Sequence, residues 1–326
     1  MSGPRQRVAL YTMGCKTNQY DSGRLAEEFA ASGFDVVPFT EVADVYVVNS
    51  CTVTGEAERE AIRAVRRALA RNPGALLVAT GCCPQVNPRP FEALAGVRLV
   101  GGNDLKRDLV GRVRQLLNPT GYTDASAGSS AAVAGGGARF GARTRRVVKI
   151  QEGCNYRCAY CVVPHARGGA RSRPLAEVLE EVRVWAEAGH REVVLTGTCL
   201  GSYGTDLSPR VTLAECAAAV AAVPGVARVR LSSIEPWEVK PDLVELAARN
   251  PAVCPHFHLP LQSGDDDVRR RMCRPGSSAR FLELVALLRE RVPDVGITTD
   301  VMVGFPGESD AQFAATYEFC RRVRFS

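Results

Sequence analysis

The stretch IQEGCNYRCAYCVVPHARG, residues 150–168, carries three cysteines in a C-x3-C-x2-C spacing, at Cys154, Cys158 and Cys161. It follows a run of β-forming residues at 147–151, so the cysteines are predicted to lie in the loop at the carboxyl end of a strand. Loops at that end of parallel strands carry the active sites of α/β folds. Three thiols so close together are more than packing requires, and in a chain without a secretory signal they are typical of metal binding.

The composition is that of a globular protein without a targeting segment. The chain has 326 residues, enough for two domains with separate cores, and its N-terminus lacks the apolar run of a secretory signal. No apolar stretch is long enough to cross a membrane, so we expect a cytoplasmic protein, in which disulfides are rare and the twelve cysteines need another explanation. The formal net charge of +6 permits a polyanionic partner but does not establish one.

Upstream of the three cysteines, strands and helices alternate. Strands are predicted at 8–12, 43–50, 75–80 and 97–102, and helices at 21–32, 55–72 and 104–118. Buried strand runs alternating with helices predict a parallel sheet with helices on its faces. Residues 118–142 are small and flexible in composition, with no apolar periodicity, and are predicted to be a linker.

Downstream of the linker the alternation resumes. Strands are predicted at 147–151, 193–196, 229–232, 256–261 and 296–303, and helices at about 174–188, 212–223, 241–250, 278–291 and 308–322. Five βα units in order predict a (β/α) barrel, incomplete because the chain ends at RRVRFS, where a sixth strand is expected to start. The predicted fold class is therefore α/β, with a parallel-sheet domain over 1–117 and a partial barrel over 143–326.

The residues alone leave the metal open. Zinc needs a fourth ligand, which His165 could supply four residues after Cys161. A short C-x2-C spacing also suits a redox disulfide. A cubane iron–sulfur cluster is usually held by four thiolates, so a cubane with three would keep one iron free for an exogenous ligand.

A second set of cysteines is dispersed in the first domain. Cys15, Cys51 and Cys82 each come directly after a predicted strand. Because the carboxyl ends of parallel strands meet at one edge of a sheet, the three thiols can converge although they are dozens of residues apart. Cys83 is an ambiguity, since adjacent side chains rarely point the same way.

Both sets lie in motifs that resemble one family. The motifs are TMGCKTNQYDS, ADVYVVNSCTVT, ATGCCPQ, QEGCNYRCAYCVVPHARGGARSR, EVVLTGTCLGSYG, RLSSIEP, HLPLQSGDDDVRRRM and TTDVMVGFPGES. In this order they resemble the radical S-adenosylmethionine methylthiotransferases over nearly the whole chain. GCKTNQYDS, residues 14–22, is most similar to the branch that acts on threonylcarbamoyladenosine in tRNA, rather than to the isopentenyladenosine or ribosomal-protein branches.

The resemblance implies two [4Fe–4S] clusters and S-adenosylmethionine as cofactors. Cys154, Cys158 and Cys161 would hold the cluster at which S-adenosylmethionine is cleaved, and Cys15, Cys51 and Cys82 an auxiliary cluster that carries sulfur. One S-adenosylmethionine would methylate that sulfur, and a second would supply the radical that removes hydrogen from C2 of the modified adenosine at position 37 of tRNA. The methylthio group would then replace that hydrogen. An electron donor and a sulfur source are then further partners, and no membrane is involved.

Three further residues are candidates for the binding of S-adenosylmethionine. Gly197, Ser233 and Glu235 lie at the ends of predicted barrel strands and are expected to contact S-adenosylmethionine, while no catalytic residue beyond the cluster ligands is assigned. Cys199 also follows a predicted strand but is expected not to be a ligand, because both triads are complete.

Two expectations concern the end of the chain and the binding of RNA. Members of the family continue into a small C-terminal RNA-binding β-barrel, which is absent here, so a truncated, non-catalytic iron–sulfur or RNA-binding protein is an alternative to the enzyme. The basic residues 269–271 and 143–146 would then have to bind tRNA.

His256 and His258 are expected to face opposite sides of their strand and therefore not to form a metal pair.

Overall fold

The computed structural model describes residues 5–52, 55–118 and 145–326. These residues form two compact units. The first contains the described residues up to 118 together with His165–Arg167, and the second contains the others from 145 onward. Apart from Asn118, the predicted linker lies outside the described residues. Within the described ranges, no helix is both long and apolar enough to cross a membrane.

A five-stranded sheet forms the centre of the first unit. Its strands are β1 (Arg7–Thr12), β2 (Asp35–Val37), β3 (Val45–Ser50), β4 (Leu76–Gly81) and β5 (Val97–Val100). Its helices are α1 (Lys16–Ala31), α2 (Gly55–Arg71), α3 (Cys82–Val86), α4 (Arg89–Glu92) and α5 (Leu109–Leu117). The strand order is β2-β1-β3-β4-β5 and each neighbouring pair is parallel, which confirms the predicted parallel sheet.

Apolar side chains cover both faces of this sheet. All six residues of β3 are buried, and alternate side chains enter two separate clusters. Val45 and Val47 pack with apolar residues of α1 and α5, whereas Tyr46 and Val48 pack with those of α2. Because β1, β3 and β4 are neighbours, the loops that follow them open at the same edge of the sheet.

Helix α1 starts five residues earlier than predicted, at Lys16 instead of position 21. The reason is that the buried face of its first turns is polar: Thr17, Asn18, Asp21 and Ser22 are all buried. An amphipathic pattern read from apolar residues sees only the later part of the helix, where Leu25 and Phe29 are four residues apart and buried.

The second unit contains the predicted βα series. Its strands are β6 (Arg145–Lys149), β7 (Gln151–Glu152), β8 (Arg171–Ser172), β9 (Glu192–Thr196), β10 (Arg228–Leu231), β11 (His256–His258) and β12 (Gly296–Thr298). The helices from this part of the sequence are α6 (Val163–Arg167), α7 (Leu175–Glu187), α8 (Leu213–Ala221), α9 (Pro241–Arg249), α10 (Asp266–Arg271), α11 (Ser278–Arg291) and α12 (Asp310–Val323). The short elements β7, β8, α6 and α10 were not predicted.

Parallel pairing connects the barrel strands. β6, β9 and β10 form one sheet in the order β10-β9-β6, and β11 pairs with β12. A parallel bridge between Val229 and Val253 joins β10 to the segment that leads into β11. A single apolar cluster contains buried residues of these strands together with those of α7, α8, α9 and α11. The five barrel strands and their helices are thereby confirmed.

The last two strands are shorter than predicted. β11 ends at His258 and β12 at Thr298, whereas 256–261 and 296–303 were expected. Pro260 has no backbone N–H to donate to a ladder. The next donor, the N–H of Leu261, bonds the side-chain oxygen of Thr299 at 3.0 Å instead of a backbone carbonyl.

The predicted orientation of the two strand histidines was wrong, since they face the same side of β11. His256 Nε2 and His258 Nδ1 lie 3.1 and 3.0 Å from the same atom, Oγ1 of Thr298. Residues two apart on a strand share a face, because side chains alternate with a period of two. The two histidines of β11 thus share one hydrogen-bonding partner, the hydroxyl of Thr298 on β12.

Candidate metal centres

Three neighbouring strands of the first unit each deliver a cysteine to one edge. Thr12 of β1 pairs with Asn49 of β3, and Ser50 of β3 pairs with Gly81 of β4. Cys51 and Cys82 are therefore the next residues after a paired position on adjacent strands. Cys15 follows β1 after two residues and precedes α1 directly.

Two glycines make this edge compact. Gly14 and Gly81, which precede Cys15 and Cys82, have φ angles of +96° and +103°, a region that favours glycine. A Cβ atom at Gly14 would lie 2.7 Å from Sγ of Cys51. The backbone that leads into Cys15 therefore passes directly beside the Cys51 thiol, which only a residue without a side chain allows.

Two buried asparagines fasten the same edge to α1. The side-chain amide of Asn18 donates to the carbonyls of Met13 (2.9 Å) and Ser50 (3.0 Å). The amide of Asn49 donates to the carbonyl of Asn18 (3.1 Å) and to Oγ of Ser22 (2.8 Å). The start of α1 and the ends of β1 and β3 are thus held together by side-chain hydrogen bonds that the sequence did not indicate.

Cys82 and Cys83 have different surroundings. Cys83 Sγ donates to the backbone carbonyl of Cys51 at 2.6 Å, and its side chain belongs to the apolar cluster on the α2 side of the sheet. Burial raises the pKa of Cys83 to about 11, so its thiolate is disfavoured. Cys82 instead lies 3.7 Å from the amide nitrogen of Asn103, and Lys106 interacts electrostatically with it.

The second set of thiols lies in the loop between β7 and α6. Cys154, Cys158 and Cys161 are each partly buried. The loop is anchored by backbone hydrogen bonds from Cys154 to Gly168 (3.1 Å) and from Ala159 to Met272 (2.9 Å). It lies beyond the carboxyl end of β6, where the sequence placed it.

The three thiols of this loop differ in acidity. A hydrogen bond with the Cys199 side chain, together with the backbone N–H of Tyr156, lowers the pKa of Cys154 to about 7 against the opposing effect of burial. Burial raises the pKa of Cys158 and of Cys161. In Cys161 the charges of Cys158 and Cys154 add to the rise in pKa.

Neither set is arranged around one point. Among the described residues, no three His, Cys, Asp or Glu side chains converge as ligands of a single metal ion do. All twelve cysteines are free thiols, and His165, the possible fourth zinc ligand, is exposed. Zinc and a structural disulfide therefore find no support.

A cubane iron–sulfur cluster fits both sets better. Each of its cysteine thiolates binds a different iron, so the sulfurs must be near each other without meeting at one point. The first set offers three thiols at one sheet edge, with glycine backbone where a side chain would fill the space beside Cys51. The second offers three thiols in one anchored loop. Both donor sets consist of the soft sulfur ligands that such clusters require.

The residues expected to contact S-adenosylmethionine have distinct environments. Gly197 lies where a Cβ atom would be 2.8 Å from Oε1 of Gln151, so it permits close packing of the β9 end against β7. Ser233 is exposed in the loop after β10. Glu235, in the same loop, forms a 2.7 Å ion pair with Arg274. Their contact with a cofactor stays a prediction.

Two partly or fully buried polar groups near the cysteine loop were missed in the sequence. Glu238 accepts a hydrogen bond from the hydroxyl of Tyr156 at 3.1 Å, and the Cys199 thiol donates to it at 3.3 Å. Arg274 binds Tyr160 of the loop. The partners are 39 to 114 residues apart in the chain, so no short stretch of sequence predicts these hydrogen bonds.

One group expected to face RNA is placed elsewhere. Arg269 is the largest fully buried side chain of the described residues, and it donates to the carbonyls of Leu261 and Pro275. It supports the barrel interior and is not available to bind a phosphate. Of its two neighbours, Arg270 is exposed and Arg271 is partly buried. Residues 143 and 144 lie outside the described residues.

Comparison with protein families places both units. The second unit matches the model described as Radical SAM superfamily over residues 148–320, and the first matches the one described as Uncharacterized protein family UPF0004 over residues 7–102. Among solved structures, the radical S-adenosylmethionine methyltransferase TsrM from Kitasatospora setae covers the fold with a TM-score of 0.67 at 15% identity, over 98% of this chain and 72% of that one. The fold and the cysteine loop thus define a radical S-adenosylmethionine protein.

Curated relatives narrow the class. The threonylcarbamoyladenosine tRNA methylthiotransferase MtaB of Thermotoga maritima is 40% identical over 98% of this chain and 73% of its own length. The tRNA-2-methylthio-N(6)-dimethylallyladenosine synthase of Anaeromyxobacter dehalogenans is 37% identical over 99% and 70%. The ribosomal protein uS12 methylthiotransferase RimO of Sorangium cellulosum is 37% identical over 98% and 67%. The chain belongs to the radical S-adenosylmethionine methylthiotransferase family, whose cofactors are [4Fe–4S] clusters and S-adenosylmethionine.

Proposed function

We propose that this protein methylthiolates C2 of N6-threonylcarbamoyladenosine at position 37 of tRNA, consuming two S-adenosylmethionine molecules. The observation that carries the proposal is the presence of two separate cysteine triads, one per unit, in a chain 40% identical to a threonylcarbamoyladenosine tRNA methylthiotransferase. The motif GCKTNQYDS, which contains Cys15 and the buried residues of the α1 start, supports this branch. The positive net charge suits a polyanionic substrate.

The two triads take different roles in this proposal. Cys154, Cys158 and Cys161 hold one [4Fe–4S] cluster, and Cys15, Cys51 and Cys82 hold the other. Bound in this way, the clusters supply the electron for reductive cleavage of S-adenosylmethionine and the sulfur to be transferred. Such chemistry suits the reaction because an aromatic C–H bond has no useful acidity, so acid–base side chains alone could not activate it.

The chain's own residues prepare the thiols for this task. The side chain of Cys199 and the backbone N–H of Tyr156 lower the pKa of Cys154, which favours its thiolate. Glu238, whose pKa is raised by burial, accepts from Tyr156 and Cys199 and so fixes the side chains behind Cys154. In the first unit, Asn18 and Asn49 keep Cys15 and Cys51 at one edge.

The domain boundaries belong to the same proposal. We assign residues 1–117 to the auxiliary-cluster domain, 118–142 to a linker and 143–326 to the radical S-adenosylmethionine domain. The reaction is a transfer of a sulfur-containing group in the cytoplasm, and it needs an electron donor and a sulfur source as partners.

Analysis of tRNA nucleosides tests the substrate. A strain without the gene should lose the 2-methylthio derivative of threonylcarbamoyladenosine from tRNA hydrolysates measured by mass spectrometry, and the intact gene should restore it. The gene with Cys154, Cys158 and Cys161 replaced by Ala is the matched control and should not restore it. Loss of the methylthio derivative of dimethylallyladenosine instead, or of methylthiolated ribosomal protein uS12, would assign the protein to one of the substrates named for its other relatives.

A second candidate function is a non-catalytic iron–sulfur or RNA-binding protein. Formation of 5′-deoxyadenosine separates the two. Anaerobically reconstituted protein with S-adenosylmethionine and a reductant should form it if the protein is an enzyme, and should form none if the clusters serve binding alone.

A further inference from the structure

A buried arginine joins three loops at the open end of the barrel. The guanidinium of Arg274 donates to the hydroxyl of Tyr160 (2.9 Å), to both carboxylate oxygens of Glu235 (2.7 and 3.5 Å) and to the carbonyl of Pro260 (2.7 Å). Tyr160 lies in the cysteine loop, Glu235 in the loop after β10 and Pro260 in the loop after β11. The Arg274 side chain is 1% exposed.

The surroundings keep this group charged. Burial disfavours the cation, but Glu235 and Tyr160 outweigh that effect and raise the pKa of Arg274. The guanidinium carbon also lies 4.9 Å from the ring centroid of Trp237, at a cation–π distance. A planar fork with several donors can satisfy three acceptors in fixed directions, which a lysine ammonium cannot do with the same geometry.

The charge of Arg274 lies at the cysteine loop, because its hydrogen-bond partner Tyr160 stands between Cys158 and Cys161 in the sequence. The Nε–H of Arg274 is buried and has no hydrogen-bond partner among the described residues. A buried donor without a partner is destabilising, so structural stability alone does not explain the arrangement.

We infer that Arg274 is a positioning residue of the radical S-adenosylmethionine site: it fixes Tyr160 of the cysteine loop and Glu235 relative to each other and places a positive charge at that loop. This inference rests on the proposed role of Cys154, Cys158 and Cys161. A positive charge near an iron–sulfur cluster favours its reduced form, since net charge and hydrogen bonds set the potential. The fork holds the carboxylate of Glu235 in one orientation toward a bound cofactor.

Two substitutions separate the charge from the fork. Arg274→Gln removes the charge, and we expect a more negative reduction potential of the cluster. We also expect about tenfold weaker S-adenosylmethionine binding, because the charge-assisted hydrogen bonds of Arg274 are lost. Arg274→Lys keeps the charge, and we expect a potential close to that of the unchanged protein but weaker binding, as in the glutamine variant. Potentials are measured by redox titration of the cluster's electron paramagnetic resonance signal, and binding by equilibrium dialysis.

Arg271→Gln is the matched control. Arg271 lies in the same segment but donates to Pro306 and Gln312, and it should leave both quantities unchanged. If Arg274→Gln does not fold, Tyr160→Phe removes one acceptor while keeping the charge, and should weaken binding severalfold at constant potential.

The inference would be overturned if Arg274→Gln left both the reduction potential and S-adenosylmethionine binding unaltered. If Arg274→Gln does not fold, unaltered binding in both Arg274→Lys and Tyr160→Phe would overturn it. Failure of the cluster assignment gives a different result: the unchanged protein itself would then hold no cluster dependent on Cys154, Cys158 and Cys161.

Discussion

At the scale of single residues, the adjacent Cys82 and Cys83 are both buried but have different polar neighbours. Cys82 lies near Asn103 and Lys106, whereas the Cys83 thiol donates to a backbone carbonyl. From the sequence, both thiols are candidates. The resemblance to the family, in whose motif a glycine precedes the cysteine, favours Cys82. The sequence could not show where either thiol points, because this depends on how β3 and β4 pair.

Replacement of the two cysteines should therefore have different effects. We expect Cys82→Ala to lose the auxiliary cluster, about half of the iron, because it removes a ligand. Cys83→Ala should keep the iron and lower the free energy of unfolding by about 1 kcal/mol, the worth of one hydrogen bond. Iron analysis and urea denaturation measure both effects. The reverse pattern of iron loss would show that the loop presents Cys83.

Thiol reactivity gives an independent view of the same residues. Cys15 is exposed, while burial raises the pKa of Cys83 to about 11, and only the thiolate attacks an alkylating reagent. In metal-free folded protein at about pH 8, three units below that pKa, iodoacetamide should modify Cys15 quickly and Cys83 hardly at all. The Cys83 rate should rise as the pH approaches its pKa. Equal rates at pH 8, measured by peptide mass spectrometry, would contradict the buried position of Cys83.

The residues that sequence reasoning missed share one property. Arg274, Glu238, Asn18 and Asn49 act through partners far away in the chain, such as Tyr160 for Arg274, 114 residues apart. Cysteine triads reveal themselves by composition and spacing. A buried arginine or asparagine does not, since these residue types are mostly found at the surface.

At the scale of secondary-structure elements, the strands of both units were predictable from their apolar runs. The exceptions have physical causes: β2 is a three-residue edge strand, β11 stops before Pro260, and α1 begins with a polar buried turn. The polar turn is also functional in our proposal, because it holds the edge where Cys15 and Cys51 lie. Patterns read from apolar residues fail where polar residues are buried for such a purpose.

Asn18 tests the importance of that polar turn. Asn18→Ala would leave the carbonyls of Met13 and Ser50 without their side-chain donor, and we expect a loss of about 1–3 kcal/mol in the free energy of unfolding. The auxiliary iron should fall with it, while the second cluster stays. Gln19→Ala, one residue further along α1 and exposed, is the control for helix propensity. An unaffected iron content in a destabilised Asn18→Ala protein would mean that Asn18 serves stability alone.

At the scale of the whole molecule, the proposed tRNA substrate makes binding depend on salt. A protein that neutralises phosphates releases counterions, so the logarithm of the association constant should fall linearly with the logarithm of salt concentration. With a net charge of +6, we expect a clear loss of affinity between about 50 and 200 mM salt in fluorescence anisotropy with labelled tRNA. Affinity that does not change with salt would contradict binding through the phosphate backbone.

A substitution at Arg269 should lower tRNA binding only by destabilising the protein, because that side chain is buried.

In the proposed function, the two units divide the chemistry between them. Each has its own apolar core and its own cysteine triad, so the loss of one set of thiols should spare the other. The sequence motifs indicated this division before the structure was known. What they could not supply is the support around each triad, which arises only from the folded arrangement of strands and loops.

Iron content and S-adenosylmethionine cleavage in two triple variants test the two-cluster assignment most directly. The unchanged, anaerobically reconstituted protein should hold about eight irons, and each triple variant about four. Replacement of Cys154, Cys158 and Cys161 by Ala should abolish formation of 5′-deoxyadenosine, whereas replacement of Cys15, Cys51 and Cys82 should preserve it. Full iron content in the second variant, or cleavage by the first, would contradict the assignment of one cluster to each triad.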